Sequence, residues 1–297
     1  MTKKILISGA TGFVGSYLVH EFFNNSDITI ITKNGSYERL IGLEKKIKVI
    51  TYDDFMKHAF SYDLFIHCAT NYIKNDTKSN IENLIYDNII VPYKVISHFS
   101  EHGLQKVINT GTCFEYDFDG EVVSEKSIKK AFNEYALSKI MFQSCLESMG
   151  LDVLTLKLMT PYGSKDNRKL VQRIIESCLE NKMLNLSEGH QKLDLVHITD
   201  VVEAYKLAAD YILKNSCVRK EFIVSSEKTV SIREIVSLVQ DITARQGMIT
   251  FGEKSKIDFE DMLTSNLKIR KELGWSPRVD LKQGLQETIV GYKNARL

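Results

Sequence analysis

A tyrosine and a lysine spaced four residues apart give this chain its clearest capacity for acid–base chemistry. Of the 13 tyrosines, Tyr135 alone has a lysine four positions later, at Lys139. Residues at this spacing share one face of a helix, so the phenol and the ammonium group can point into one cleft. A neighbouring cation lowers a phenol pKa that starts near ~10, which suits tyrosine to proton transfer near neutral pH.

A hydroxyl at the end of a strand would complete a site that transfers a hydride to or from a carbonyl carbon. Residues 106–109 predict a buried strand, and Thr112 follows it closely. Its hydroxyl could hydrogen-bond the substrate oxygen while the tyrosine exchanges the proton. Taken alone, a Tyr-x-x-x-Lys pair is more often a surface pair on an ordinary helix, so the elements around it decide the interpretation.

Three glycines at three-residue spacing follow the first apolar strand and precede an amphipathic helix. Gly9 permits a tight turn, Gly12 lets a pyrophosphate approach the backbone, and Gly15 lets the helix pack close to the strand. The N–H groups at the helix N-terminus would then hold phosphates. A glycine turn, a strand-end threonine and a Tyr-x-x-x-Lys helix, in this order, indicate a dinucleotide-dependent redox site.

The first half of the chain alternates β-branched runs with helical stretches. Strands are predicted at residues 29–32, 48–51, 64–67, 106–109 and 153–158, and helices at 85–100 and 135–149. This alternation predicts an α/β fold, a Rossmann-type doubly wound parallel sheet that binds ligands at the carboxyl ends of its strands.

A different pattern follows Pro161. Residues 166–186 are predicted to be largely helical, 193–198 and 221–225 to be strands, 201–213 to be a helix opened by Asp200, and 229–246 to hold a helix capped by Ser231; Gly274 ends another short helix. We therefore predict a Rossmann domain of residues 1–165, to which 194–226 return. A smaller mixed α/β substrate lobe comprises 166–193 and 227–297.

Composition narrows the class of protein and of partner. The 297 residues are 43% hydrophobic and 26% charged with a net charge of +1, so a packed core is expected and neither nucleic acid nor a membrane is an expected partner. The 5 cysteines include no Cys-x-x-Cys pair. They predict a reducing, cytoplasmic compartment and no bound metal, and neither a signal peptide nor a spanning segment is expected.

With these motifs the chain resembles the extended short-chain dehydrogenase/reductase family of nucleotide-sugar epimerases, dehydratases and reductases. The resemblance rests on the glycine turn, on residues 112–116, on Tyr135-x-x-x-Lys139, and on residues 156–163, 189–205 and 273–277. Residues 65–72, 231–234 and 251–262 most resemble bacterial reductases of nucleotide-linked 4-keto-6-deoxyhexoses, such as the CDP-abequose and CDP-paratose synthases.

The resemblance implies roles for individual residues. Tyr135 would be the acid/base, Lys139 would lower its pKa and hold the ribose, and Thr112 would hold the substrate oxygen. Expected cofactor contacts are Gly9, Thr11, Gly12, Phe13, Val14, Gly15, Thr32, Lys33, Arg39, Asp54, Ala69, Thr70, Asn88, Thr110, Tyr135, Lys139 and Pro161. Expected substrate contacts are Asn71, Tyr72, Thr112, Cys113, Phe114, Tyr135, Thr160, Arg168, Lys169 and Lys256. For Asn88 a helix-surface position is the alternative, and Asp53 rivals Asp54 for adenine.

Residues that the family's other branches need are missing here. Dehydratases carry a carboxylate pair after the strand-end threonine, where this chain has Cys113 and Phe114. Epimerases that invert through an enolate need a further base, and Thr160 stands where relatives carry Asn, Asp or His. The remaining tyrosine with its helpers suffices for one hydride and one proton, which favours a ketoreductase. Cys113 stays open between a buried thiol and a base.

The sequence defines the form of the cofactor and the nucleotide of the substrate less closely than it defines the reaction. No carboxylate stands at the end of the second strand to repel a 2′-phosphate, and Lys33 and Arg39 could bind one, so NADPH is predicted, with NADH as the alternative. Two family arginines that grip the substrate diphosphate are replaced by Leu193 and Ile257. The identity of the nucleotide therefore stays open.

We predict an NADPH-dependent reductase of the C4 ketone of a nucleotide-linked 4-keto-6-deoxy sugar, serving O-antigen or capsule synthesis. The alternatives are a nucleotide-sugar epimerase with tightly bound NAD and a non-enzymatic NAD(P)-binding regulator, which would not need Tyr135. Relatives dimerise through the tyrosine helix and the preceding long helix. A homodimer formed by residues 85–100 and 135–149 is therefore expected.

Overall fold

Parallel strands of mostly buried, branched residues form the central layer of the protein. The computed structural model describes residues 2–35, 38–40, 42–43, 46–72, 78–166, 169–252 and 261–295. The strands are β1 (Lys3–Ser8), β2 (Ser26–Thr32), β3 (Lys48–Thr51), β4 (Leu64–His67), β5 (Lys106–Thr112), β6 (Asp152–Leu158), β7 (Thr160–Tyr162), β8 (Met183–Leu186), β9 (Lys192–His197), β10 (Arg219–Val224), β11 (Thr229–Ser231) and β12 (Met248–Phe251). Seven of them form one parallel sheet in the order β10-β6-β5-β4-β1-β2-β3, which confirms the predicted Rossmann-type fold.

Helices cover both faces of this sheet. They are α1 (Phe13–Phe22), α2 (Lys78–Ile85), α3 (Val91–Glu101), α4 (Glu134–Ser148), α5 (Leu170–Glu180), α6 (Ile198–Lys214), α7 (Ile232–Thr243), α8 (Leu267–Leu273) and α9 (Leu281–Asn294). A π-helical turn, Tyr86–Ile90, joins α2 to α3. Within the described ranges, no helix has both the length and the apolar character that crossing a membrane requires.

Alternate residues of the strands enter two apolar cores, one on each face of the sheet. Ile5 and Ile7 of β1 join the larger core, which includes Leu18 of α1. Leu6 points to the opposite side and joins the core that includes Phe99 of α3 and Phe142 of α4. Burial on both faces explains why the strands read as continuous apolar runs in the sequence.

The second half differs from its sequence prediction most clearly at residues 183–186. Residues 166–186 were expected to be largely helical, but α5 ends at Glu180 and Asn181 adopts a left-handed conformation with φ of 54°. The chain then forms β8, which pairs in parallel with β12 from Met183–Met248 to Leu186–Phe251. The helical prediction for 183–186 is wrong because this distant partner, rather than local pattern, defines the strand.

Helix α6 begins earlier than predicted, which gives Asp200 another role. The helix starts at Ile198 with His197 as its N-cap, so Asp200 lies in the first turn instead of opening the helix. The buried Asp200 carboxylate accepts hydrogen bonds from the backbone N–H groups of Arg278 and Val279, both at 3.1 Å. It thereby ties the segment before α9 to α6.

Two predicted helix ends are confirmed, and one assignment stays a prediction. Ser231 caps α7 in a capping box with Glu234, and Gly274 ends α8 with a φ of 70°. Strand β10, from the second half of the chain, pairs with β6 in the central sheet. The division into a Rossmann domain and a substrate lobe stays a prediction.

Removing the Asp200 carboxylate is expected to destabilise the protein. Asp200→Ala leaves two backbone N–H groups without their acceptor, so the free energy of unfolding should fall by about 1–3 kcal/mol. Asp210→Ala is the matched control, because Asp210 is exposed on the same helix. Chemical denaturation of both variants measures the difference, and equal stabilities would show that Asp200 does not anchor this segment.

Candidate active site

Glycines allow backbone atoms to pack closely in the turn between β1 and α1. Gly9 has a φ of 66°, and a Cβ there would lie 2.5 Å from the backbone nitrogen of Ala69. A side chain at Gly15 would collide with the Gly9 carbonyl. Among the described residues no side chain caps α1 at Gly12, so the first N–H groups of the helix have no side-chain acceptor there. This glycine cradle at a helix N-terminus fits the diphosphate of a nicotinamide dinucleotide.

The predicted adenosine end of the cofactor site lies after β2 and β3. Lys33 is exposed directly after β2, and Arg39 is half-buried on the short helix Glu38–Leu40. The Thr32 hydroxyl accepts a hydrogen bond from Gly35 N at 2.8 Å. Asp54 accepts one from Thr51 N at 2.8 Å, and this backbone hydrogen bond lowers the Asp54 pKa. Two cations therefore lie where a 2′-phosphate was expected.

Asn88 connects the loop after β4 to the tyrosine helix. Its side-chain Nδ2 donates to Asn71 O at 2.9 Å and to Ser138 Oγ at 3.0 Å, and its Oδ1 accepts from Asn71 N at 2.7 Å. Asn88 is buried within the π-helical turn. The helix-surface alternative for Asn88 is wrong, because the wider π turn directs this side chain inward.

Tyr135 lies in the first turn of α4, where it meets the predicted strand-end hydroxyl. Asn133 caps this helix by accepting from Ala136 N at 2.9 Å. The Thr70 and Thr112 side chains lie near enough to the Tyr135 phenol to lower its pKa. Lys139 is 2% exposed, and its Nζ lies 5.9 Å from the Tyr135 ring centroid. The structure thus brings the three predicted catalytic residues together.

Burial dominates the protonation of this cluster. It raises the Tyr135 pKa above its ordinary value, although the Thr70 and Thr112 side chains act in the opposite direction. Burial also lowers the Lys139 pKa to about 8. The expectation of a lowered tyrosine pKa is not met, because loss of solvation raises it and the charges of Cys113 and Glu115 act in the same direction. At neutral pH the phenol is protonated and can act as a proton donor.

Thr110 faces the sheet rather than solvent. Its hydroxyl donates to His67 O at 2.7 Å and lies 2.6 Å from the Tyr205 hydroxyl. Sequence reasoning selected Thr110 as a cofactor contact but missed Tyr205 of α6 and Ser138 of α4. For Ser138 the signal was its position directly before Lys139, on the helix that the tyrosine motif already marked.

Cys113 is buried behind the strand end. It is 1% exposed, its Sγ lies 3.6 Å from Met159 O, and burial raises its pKa to about 12. A thiol in this state is not a base at neutral pH, so the structure favours a buried thiol over the predicted substrate contact. Lys169, at the N-terminus of α5, has an electrostatic interaction with Cys113, which places this cation near the strand end.

Aromatic side chains border the cluster on the side predicted for the sugar. Tyr72 is 47% exposed, and its ring stands edge-on to Tyr135 with centroids 4.9 Å apart. The Phe114 ring stacks on Phe132 with centroids 5.5 Å apart. Thr160, half-buried at the start of β7, contacts Met262 Sδ at 3.8 Å. Among the described residues, aromatic rings line this side of the cluster.

Some predicted substrate contacts lie elsewhere or outside the described residues. Arg168 and Lys256 belong to the parts of the chain that the structure does not describe, as does position 257. Leu193, which replaces one family arginine, is 8% exposed. Its neighbour Lys192 pairs with Asp261 at 3.2 Å instead of replacing the lost charge.

Comparison with known proteins agrees with this geometry. A family model for the NAD dependent epimerase/dehydratase family matches residues 5–216, and the chain belongs to this family. CDP-abequose synthase of Salmonella muenchen is 26% identical over 97% of this chain and 98% of its own length. The dTDP-4-dehydro-6-deoxyglucose reductase of Escherichia coli is 21% identical over 96% of each chain.

A solved structure shows the same fold over the full length. The UDP-glucuronic acid 4-epimerase of Bacillus cereus, in complex with UDP-glucuronic acid and NAD, superposes with a TM-score of 0.90 at 21% identity. The match covers 98% of this chain and 99% of that one. The resemblance to the extended short-chain dehydrogenase/reductases is confirmed, and the family is one of NAD(P)-dependent enzymes.

The thiols of this protein are expected to differ in reactivity. Cys217 is exposed and Cys113 is buried, so an alkylating reagent at mildly alkaline pH should label Cys217 first and leave Cys113 unmodified. Peptide mass spectrometry of the native protein gives the extents of labelling, and urea-unfolded protein, in which both thiols react, is the control. Rapid native labelling of Cys113 would reopen its assignment as a base.

Proposed function

We propose that this protein is an NADPH-dependent reductase of the C4 ketone of a nucleotide-linked 4-keto-6-deoxy sugar, serving O-antigen or capsule synthesis. The observation that carries the proposal is the protonated phenol of Tyr135, which lies near Thr70 and Thr112 and beside Lys139. A ketone reduction needs one proton donor, and Cys113, the rival acid/base, is a buried thiol. Similarity to a CDP-abequose synthase and to a 4-dehydro-6-deoxyglucose reductase supports this choice.

The binding of the cofactor is assigned to residues at the carboxyl edge of the sheet. Gly9, Gly12 and Gly15 leave room for the diphosphate, and Lys33 and Arg39 would bind the 2′-phosphate of NADPH. Lys139 would hold the nicotinamide ribose. When bound, NADPH supplies the hydride that reduces C4.

The protein's own side chains provide the proton and stabilise the charge. Tyr135 donates its phenolic proton to the oxygen that becomes an alkoxide. Thr112 donates a hydrogen bond to the same oxygen, since its own acceptor lone pair already binds Phe114 N at 3.4 Å. The charge of Lys139 stabilises the phenolate that the transfer leaves behind. Tyr72, Phe114 and Lys169 would contact the sugar and its nucleotide.

A nucleotide-sugar epimerase is the second candidate. The solved structure compared above supports it, because that protein is named a 4-epimerase and is in complex with NAD. An epimerase retains its dinucleotide through turnover, whereas a reductase exchanges it. Co-purified NAD would therefore favour the epimerase. The intact set of Thr112, Tyr135 and Lys139 argues against a non-enzymatic regulator.

A homodimer in the cytoplasm fits the surface and the thiols. Large apolar side chains are exposed on the helices expected at the dimer interface: Tyr86, Ile90, Tyr93, Leu137 and Met141, between 39% and 53% exposed. Two copies packed through the π turn, α3 and α4 would cover them in a four-helix bundle. All five cysteines are free thiols, which suits a reducing compartment.

Turnover with defined sugars tests the proposed function. Purified protein is mixed with NADPH and with CDP-, dTDP- and GDP-linked 4-keto-6-deoxy sugars, and the nicotinamide absorbance is followed. Oxidation with one nucleotide series is expected, and NMR of the product gives the configuration at C4. Inversion at C4 of a nucleotide sugar that carries a C4 hydroxyl, such as UDP-glucuronic acid, with no net change in nicotinamide absorbance would instead identify an epimerase.

A Tyr135→Phe variant in the same assay tests the proton donor. Removing the phenolic hydroxyl is expected to lower kcat by about 10²–10⁴-fold, the range for general acid catalysis, while NADPH binding is retained. Tyr211→Phe, on α6, is the matched control with unchanged turnover. Unchanged turnover in Tyr135→Phe would assign the proton to another group.

Cofactor preference is expected to depend on two cations. Lys33→Ala and Arg39→Ala should each reduce kcat/KM for NADPH by about tenfold and leave NADH nearly unaffected, because a charge-assisted hydrogen bond to the 2′-phosphate is lost. Lys57→Ala, a cation on the helix Phe55–Lys57, serves as the control. Equal losses with both cofactors would mean that these side chains do not contact the 2′-phosphate.

A further inference from the structure

A buried pair of opposite charges lies directly behind the strand-end threonine. Glu115 and Lys157 are both 0% exposed, and Lys157 Nζ forms an ion pair with Glu115 Oε2. The other carboxylate oxygen, Oε1, accepts a hydrogen bond from Thr112 N at 2.8 Å. The mechanism above assigns no role to either charge, although one of them binds the backbone of Thr112.

The pair is packed against the backbone of β5. Gly111 and Lys157 are direct partners in the β5–β6 register. A Cβ on Gly111 would lie 2.5 Å from Lys157 Cδ and 2.8 Å from Glu115 Oε1. Glycine at this position therefore lets the buried pair reach the end of the strand.

Gln143 links the pair to the helix that carries the tyrosine. Lys157 Nζ donates to Gln143 Oε1 at 2.6 Å. Tyr135, Lys139 and Gln143 are spaced by four residues, so they follow one face of α4. A continuous chain of contacts thus runs from Thr112 through Glu115, Lys157 and Gln143 to the helix of Tyr135.

The chain of contacts continues from Gln143 to Glu221, where a second carboxylate meets a second ammonium group. Glu221 of β10 accepts from Gln143 Nε2 at 3.0 Å and from Lys129 Nζ at 2.7 Å, both on Oε2. Tyr116 donates to its Oε1 at 3.1 Å. Two carboxylates therefore face two ammonium groups, Lys129 and Lys157, and no net charge is buried.

A buried ion pair is not by itself evidence of added stability. Well-packed apolar residues of similar volume are often as stabilising as a buried ion pair, because the pair loses its hydration. The pair is also close enough to act on the catalytic residues. The Glu115 charge raises the pKa of both Tyr135 and Lys139, and the Lys157 charge lowers that of Lys139.

We propose that Glu115, held by Lys157 and Gln143, is a positioning residue that fixes the Thr112 hydroxyl beside Tyr135 and serves as the counter-charge of Lys139. This inference rests on the proposed ketone reduction for its effect on turnover. The titratable groups that interact with the catalytic pair are Glu115, Lys157, Cys68 and His67 around Lys139, and Glu115, Cys113 and Tyr205 around Tyr135.

The first test compares Glu115→Gln with a matched control. Glutamine keeps an acceptor for Thr112 N but removes the charge, so kcat should fall by about 10–100-fold with the KM for NADPH changed less than about twofold. Glu227→Gln is the control: Glu227 also accepts from a backbone N–H, that of Asn266 at 2.7 Å, and pairs with Arg270 at 2.8 Å. It should leave kcat unchanged.

The pH profile and a double-variant comparison separate positioning from a structural role. Without the Glu115 charge, Tyr135 and Lys139 both lose protons at lower pH, so the alkaline fall of the reduction rate should move to lower pH. Glu115→Ala also removes the acceptor of Thr112 N, so it should lower kcat further than Glu115→Gln, and in a Thr112→Ala background this additional loss should fall below about twofold, because that contact acts through the Thr112 hydroxyl. An unmoved profile together with additive losses would overturn the proposal.

An NMR titration decides the proposal without any turnover. In protein labelled with ¹⁵N-lysine, the Nζ resonance of Lys139 is assigned by its loss in Lys139→Met and followed between neutral and alkaline pH. Its midpoint should be lower in Glu115→Gln than in the wild type and unchanged in Glu227→Gln. An unchanged midpoint in Glu115→Gln would reject the counter-charge.

The double variant Glu115→Gln/Lys157→Met removes both charges, so it leaves no unpaired buried lysine. It can therefore be measured if the single variant Glu115→Gln does not fold. Its Lys139 midpoint should return toward the wild-type value, because the two charges act on Lys139 in opposite directions. Failure of the wild type to reduce any sugar would reject the proposed function alone, since the titration is read without substrate or cofactor.

Discussion

Parallel pairing of β1, β4 and β5 as adjacent strands is the constraint on which the candidate site depends. Ser8 pairs with His67 at the end of β1 and β4, and β5 continues on the far side of β4. Because the three strands run in one direction, their carboxyl ends bring Gly9, the Ala69–Thr70 loop and Thr112 to one edge. A slip of one residue in β5 would send the Thr112 side chain to the other face of the sheet, away from α4 and Tyr135.

Local sequence patterns predicted the elements of this layer better than those of the second half. The predicted strands 48–51 and 64–67 coincide with β3 and β4, because buried parallel strands are continuous apolar runs between polar loops. β8 was assigned to a helix, since its pairing with β12 joins residues far apart in sequence and leaves no local signal. Aspartate is a common helix cap, so Asp200 was predicted to open α6. Its carboxylate instead accepts hydrogen bonds from the distant backbone N–H groups of residues 278 and 279.

The candidate catalytic residues were predictable from spacing, whereas the residues that support them and their pKa shifts were not. Tyr135 and Lys139 have a fixed interval on one helix, and Thr112 follows a recognisable strand. Gln143 lies four residues after Lys139 and Glu115 three after Thr112, but neither spacing shows that both side chains contact Lys157. A charged residue within the apolar run of β6 was the one signal for a buried partner. The predicted lowering of the Tyr135 pKa was wrong. A neighbouring cation is visible in the sequence, whereas the loss of solvation that raises this pKa depends on the fold.

The turn after β5 explains why a carboxylate, and not an apolar side chain, lies behind Thr112. Thr112 and Glu115 form a capping box around the short helix Cys113–Glu115, so each side chain binds a backbone N–H of the other's segment. An apolar residue at 115 would leave Thr112 N–H buried without an acceptor. Once a carboxylate is buried there, it requires a cation, and Lys157 reaches it only because Gly111 has no side chain. The capping box therefore requires the ion pair, and the ion pair requires glycine at position 111. Together they fix the orientation of the Thr112 hydroxyl.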